Sequence, residues 1–177
     1  MVTILVDVLI GLVMAMLVYG ALHDFAARTV PNAIPVVIFF LGGALRAIEH
    51  DLPRGLLVAA VSFAILLPLW MSHIIGGGDV KLWTAMAMVL PPTFPDQIGF
   101  LVSVALLGGA LAIAYLALHR LVVAPVFLGV RNGSLVRRAL RAEAWRIARR
   151  GPLPYGVAIA GAGLLVLAPP ILGRIGG

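Results

Sequence analysis

The feature that most constrains this chain is its repeated alternation of long apolar runs with short polar breaks. Crossing about 30 Å of hydrocarbon at about 1.5 Å per residue takes a long apolar helix. Six candidate segments emerge, at roughly 2–22, 33–48, 55–75, 80–93, 98–119 and 155–173. The breaks run from His23 to Asn32, Glu49 to Arg54, Gly76 to Asp79, Pro91 to Gln97, and Arg120 to Pro154. Composition agrees: 62% of residues are hydrophobic, 11% are charged, and the mean hydropathy is +1.12. A soluble domain carries roughly a quarter charged residues, so this chain has too few polar side chains to cover a water-facing surface. The expected fold is an all-α membrane protein, a bundle of about six transmembrane helices forming a single domain over residues 1–177.

Basic residues orient the bundle, because loops on the cytoplasmic side are enriched in lysine and arginine. With an even number of spans the termini share a side. Placing both outside puts Arg28, Lys81, Arg120, Arg131, Arg137, Arg138, Arg141, Arg146, Arg149 and Arg150 in the cytoplasm, and leaves only Arg46, Arg54 and Arg174 out. Both termini are therefore expected on the non-cytoplasmic side. The N-terminal run Met1 to Leu22 lacks the basic start of a signal peptide and is expected to remain as the first helix.

The segment 134–150, within the polar stretch of about 120–154, is the one clearly polar region. As a helix it sets Val136, Leu140 and Ile147 against Arg137, Arg138, Arg141 and Arg149. Contact with anionic membrane lipids is one expectation for it, a purely topological positive loop the other. The net charge of +6 comes mainly from this region, so no nucleic-acid partner is implied.

Several chemistries are excluded or unsupported. There is no cysteine, hence no disulfide framework and no Cys-based zinc site. No H-E-x-x-H and no G-x-x-x-x-G-K-[ST] occurs, so neither a zinc protease nor a phosphate loop is indicated. His23, His50, His73 and His119 are scattered near span ends, and no metal or cofactor is expected. The pairs Gly42-Gly43 and Gly108-Gly109 lie inside spans, where small residues let helices pack closely.

Ionisable residues in or beside spans are functional candidates. Asp24 ends the first span, and Asp79 follows the triple glycine 76–78; the topology brings both to one membrane face. The stretch Val80–Leu90 covers only about 16 Å, half the hydrocarbon thickness. Irregular backbone at such depth is tolerated only where protein buries it or water reaches it. Two adjacent carboxylates in such a pocket repel, and the pair retains one proton. The ionised member then takes a proton from water while the protonated one polarises a scissile carbonyl; which does which belongs to the coupled pair. Plainer readings stand beside this one. Asp79 fits an N-cap, which stabilises by about 1 kcal/mol, Asp24 fits an interfacial partner of Arg28, and Lys81 fits a snorkelling flank or an electrostatic neighbour of Asp79.

The residues Gly76-Gly77-Gly78-Asp79-Val80-Lys81-Leu82 match G-x-G-D-x-K-L, and this stretch resembles type IV prepilin peptidases and archaeal preflagellin peptidases. Asp24 with the downstream Val30-Pro31-Asn32 is similar to that family's first aspartate and its I-P-N, with valine for isoleucine. Pro154-Tyr155-Gly156 is similar to its late P-Y-G. The resemblance implies an aspartic endopeptidase of the bacterial inner membrane that removes short basic leaders from prepilins at the cytoplasmic face, typically after glycine. It implies Asp24 and Asp79 as the catalytic pair, Gly76 and Gly78 as structural glycines, and Lys81 as a basic residue of undefined role. Larger members carry a cytosolic insert with paired C-x-x-C motifs and also methylate the new N-terminus. This cysteine-free chain resembles the short peptidase-only form of Tad/Flp-type pili. A small ion- or proton-coupled transporter, or a noncatalytic pilus-assembly subunit, are the alternatives. The Asp24 motif and Pro154-Tyr155-Gly156 favour the peptidase over the first, and the two intact aspartates favour it over the second.

Overall fold

A computed structural model describes residues 1–121, 145 and 153–175; among them there are six α-helices and no strand. In chain order these are α1 (Val2–Ala27), α2 (Ala33–Ile48), α3 (Leu52–Met71), α4 (Gly77–Val89), α5 (Phe94–Leu121) and α6 (Tyr155–Ile175). By length and composition α1, α3 and α5 can each cross a membrane, while α2 and the Tyr155–Ala168 part of α6 are apolar but shorter. The arginine-rich segment 134–150, expected as a lipid-facing helix, lies outside the described residues apart from Trp145.

The outer surface is apolar. Val8, Leu12, Phe40, Leu57, Ile65, Leu106, Ile113 and Leu165 are all exposed. An apolar surface of this extent, on a chain with three helices long and apolar enough to cross a bilayer, suits a membrane protein.

At 13 residues, about 20 Å long, α4 is too short to cross the bilayer unaided, and the fold puts it in the middle. It packs chiefly against α2 and α3, and also touches α6; α6 in turn packs against α1 and α5. Leu82, Met86, Met88 and Leu90 are fully buried, and Val13, Leu17, Ile38, Phe100 and Ile159 close around them. Glycine permits the tightest crossings. A Cβ at Gly42 would come within 2.9 Å of the Val89 backbone nitrogen, and one at Gly163 within 2.9 Å of Leu17 and Met86. Gly42 thus does what its place in a span suggests. In the second glycine pair Gly108 lies under the Tyr155 ring, whereas Gly109 has open space.

Arg46 sits at the far end of this central helix. It is buried, pairs with Glu49 at 2.7 Å, and donates to the Val89 carbonyl at 3.2 Å. Val89 ends α4, where unsatisfied carbonyls and the negative end of the helix dipole favour a cation. The side chain expected to mark topology therefore also closes the end of a short helix. A Cβ at Gly55 would lie 2.7 Å from Arg46 Cγ, so α3 leaves room for it.

Helix ends depart from the apolar runs in a way that matters for the site. The first helix continues past Leu22 to Ala27, because nothing before Pro31 forces it to stop. It ends at Arg28, in the left-handed region at φ 57°. The third stops at Met71, closed by His73 at φ 57° and by the Ser72 hydroxyl, which donates to Pro68. The fourth begins earlier than its apolar run, so that Gly77 and Gly78 are helical and only Gly76 is extended.

Candidate active site

Asp24 lies in the last turn of α1 and is 6% exposed. Its Oδ2 is buried without a hydrogen-bond partner among the described residues, an unusual state for a group whose desolvation is costly. The backbone N–H groups of Gly156 and Val157, in the first turn of α6, face the carboxylate. Gly156 makes that approach possible: a Cβ there would stand 2.8 Å from Asp24 Oδ2 and 3.2 Å from Val30 Cγ2.

Arg28 does not pair with Asp24 as the sequence alone allowed. Its guanidinium donates to the Tyr115 hydroxyl at 3.2 Å and lies over the Tyr115 ring, fastening the end of α1 to α5. It remains near enough to Asp24 to act on it electrostatically.

Asp79 is the third residue of α4, not its N-cap, which is Gly76. The carboxylate turns back toward the Gly76 N–H, the return half of a capping box. A Cβ on Gly76 would lie 2.9 Å from Asp79 Oδ2, so this glycine, like Gly156, clears space beside a carboxylate. Gly77 does the same for Trp70, whose indole nitrogen would stand 3.0 Å from an added Cβ. Gly78 is different. A Cβ there meets Val30 at an ordinary 3.5 Å.

The two carboxylates, far apart in the chain, line one cavity of about 660 Å³ and act on each other electrostatically. Its walls come from three polar breaks and the helix ends beside them. The first break supplies Arg28, Thr29, Val30 and Asn32. The α3–α4 turn and the end of α3 supply Trp70, His73, Ile74, Ile75 and the triple glycine, and the start of α6 supplies Leu153 and Tyr155. Trp70, Ile74 and Ile75 were not anticipated, since they sit in an apolar run with no chemical signature. Val30 carried a faint one, as a β-branched residue before proline.

The remaining sequence candidates act around the cavity. Lys81 donates to Asn32 Oδ1 at 2.9 Å, tying α4 to the start of α2; its neighbour is the asparagine, not Asp79. Asn32 precedes the first turn of α2 without capping it by its side chain. The Pro31 carbonyl accepts from the Ile34 N–H, and the Pro154 carbonyl from the Val157 N–H, so both prolines start helices. Pro154 is fully buried, and the Tyr155 ring packs on Gly108 while facing the cavity.

Two buried or half-buried carboxylates sharing one cavity are arranged for general acid–base chemistry on a bound molecule. Neither a curated protein sequence nor a solved structure matches the chain. A family model does, over residues 11–116, a span that includes Asp24, Asn32, Asp79 and Lys81 and is described as the type IV leader peptidase family. The match covers more than half of the 177 residues, and the chain belongs to the type IV leader peptidase family.

Proposed function

We propose that the protein is a membrane-embedded aspartic endopeptidase that removes the short basic leader from type IV prepilins of the Tad/Flp kind. Cleavage falls at the cytoplasmic face of the bacterial inner membrane, typically after glycine, with Asp24 and Asp79 as the catalytic pair. The observation that carries the assignment is the shared cavity: the end of α1 and the start of α4 bring both carboxylates to one wall-bounded space. The pair holds one proton. The ionised carboxylate deprotonates a water, the protonated one hydrogen-bonds the scissile carbonyl, and the tetrahedral intermediate collapses as the leaving amine takes up a proton.

The peptidase-only, Tad/Flp-type form is supported by the absence of cysteine, since the methylating members carry cysteine pairs in a cytosolic insert. Six crossings with both termini outside are supported by the distribution of basic residues, which puts Arg28 and Lys81 on the cytoplasmic side. The short α4 crosses by being enclosed in protein. The single domain, the lipid contact of segment 134–150 and the roles of Gly76, Gly78, Lys81, Pro31, Asn32, Pro154, Tyr155 and Gly156 as supports of the pair belong to the same proposal.

The test is cleavage in membranes. A tagged Flp-type prepilin is co-expressed with wild-type protein, Asp24→Asn or Asp79→Asn, and pilin size is followed by gel. A size shift with wild type alone, both variants being membrane-inserted, is the expected result. Full activity in either variant removes the aspartate pair. No shift with wild type across several candidate pilins removes the peptidase assignment.

A further inference from the structure

Backbone N–H and C=O groups that face neither water nor a partner are costly, most of all at membrane depth, so almost every buried one is paired. Two residues lining the cavity have main-chain groups that no part of the fold pairs and that water or a ligand must serve. Val30 and Ile75 each have a backbone N–H and a backbone C=O with no hydrogen bond among the described residues, and both side chains are only half-buried. Each lies just beyond a helix ended by a non-glycine residue in the left-handed region, Arg28 for α1 and His73 for α3. A left-handed L-residue is strained. The fold accepts that strain at both places, and in both the chain leaves the helix directly into the cavity wall.

The sequence holds Val30 in this state. It is β-branched and precedes Pro31, which disfavours the helical region for it. Its side chain rests against two helix N-termini, closely at α6, where a Cβ at Gly156 would stand 3.2 Å away, and in ordinary contact at α4, 3.5 Å from a Cβ at Gly78. With the side chain lodged between α4 and α6, its position is fixed independently of any bound ligand. On the other wall, Ile75 is followed by Gly76 in extended conformation at φ −73°, ψ 145°. Unpaired main-chain groups thus stand on the segments adjoining both carboxylates.

We propose that these groups form the substrate-docking edge: the polypeptide enters the cavity as an extended chain and pairs its backbone with Val30 and Ile75. The N–H groups of the two residues donate to substrate carbonyls, and their carbonyls accept from substrate N–H groups. The added pairing replaces cavity water and holds the scissile peptide beside Asp24 and Asp79. It is recognition through main chain, as when a strand is added to an open sheet edge, and it is indifferent to the side chains at the paired positions. The inference rests on the peptidase assignment above and adds how the substrate is held.

The experiment is an amide-to-ester scan of a synthetic Flp-type prepilin peptide spanning the leader junction, assayed with the full-length enzyme in detergent. Each amide except the scissile one is replaced in turn by an ester, which deletes one N–H and adds no bulk. A parallel series replaces each side chain by alanine. Positions beside the junction where the ester slows cleavage about three- to tenfold, the range for one lost hydrogen bond, while alanine there is tolerated, are the expected result. Esters tolerated within about twofold at every position, with the unmodified peptide cut, overturn main-chain docking and leave the peptidase assignment standing. An unmodified peptide that wild type never cuts overturns both.

Discussion

At the residue scale the two aspartates share a device: each has a glycine pressed against its carboxylate. Gly156 stands against Asp24 and Gly76 against Asp79, with less than 3 Å to any added Cβ. Here the neighbour that would have to yield is one of the two carboxylates proposed to carry the chemistry. Gly156→Ala is therefore expected to lower kcat of prepilin cleavage by about a hundredfold, the size of effect that an ångström-scale misplacement produces. Gly109→Ala, at a site with open space, leaves cleavage unchanged. Kinetics of the two variants at equal membrane expression check this, and an active Gly156→Ala enzyme would show that the Asp24 carboxylate does not need its present place. Because a pair holding one proton works only in that protonation state, the rate should fall on both sides of an optimum, at low pH as the pair gains its second proton and at high pH as it loses the shared one. Asp24→Asn has no such bell to report. Chelators are expected to leave the rate unchanged.

At the element scale the central question is how a 13-residue helix holds a carboxylate at a fixed level in a bundle built of longer ones. It is fastened at both ends. Lys81 bonds Asn32 near its start, and Arg46 closes its last carbonyl. Removing the buried Arg46 cation strands the Val89 carbonyl, and a buried acceptor left without its donor costs about 1–3 kcal/mol. Arg46→Met should lower the unfolding midpoint of the purified protein in detergent while the intact carboxylates still support some cleavage. An unchanged midpoint would mean that water or lipid headgroups serve the carbonyl equally well. At the other end, Lys81→Met and Asn32→Ala should each reduce cleavage several-fold, and the double variant should be little worse than either. A double-mutant cycle with a coupling of about 0.5–1.5 kcal/mol is the expected outcome; additive losses would assign the two residues separate tasks.

At the scale of the whole molecule, the native chain lacks cysteine, so single introduced cysteines report topology without background. Thr29→Cys is expected to react with a membrane-impermeant thiol reagent only from the cytoplasmic side, and Pro95→Cys only from the opposite side. Both labelling from one side would abolish the six-span arrangement, and exchanged sides would invert it. The exposed apolar surface suits a membrane protein, and the enclosed α4 explains how a helix too short to cross takes part in the bundle.

Much of this was legible in the order of residues. Apolar runs against polar breaks located the six helices to within a few residues, because lipid imposes one hydropathy rule on every segment that enters it. Asp24 and Asp79 stood out for the same reason, as charges where charges are expensive, and the motifs around them pointed to the family that the chain proves to match over residues 11–116. A local signal was right where it acted locally: Gly42 closes a helix crossing. Local signals failed where the deciding contact comes from elsewhere in the chain. No neighbouring residue reveals that Arg28 turns to Tyr115, that Lys81 reaches Asn32, or that Trp70 walls the cavity. That Asp24 faces Gly156 depends on how α1 and α6 are stacked, and stacking is settled by side-chain shape across helices, to which hydropathy is blind. Residue order alone was enough to read the apolar helices and to single out the two acids. The tertiary structure alone decided that those acids share one cavity, with two unpaired stretches of backbone beside them.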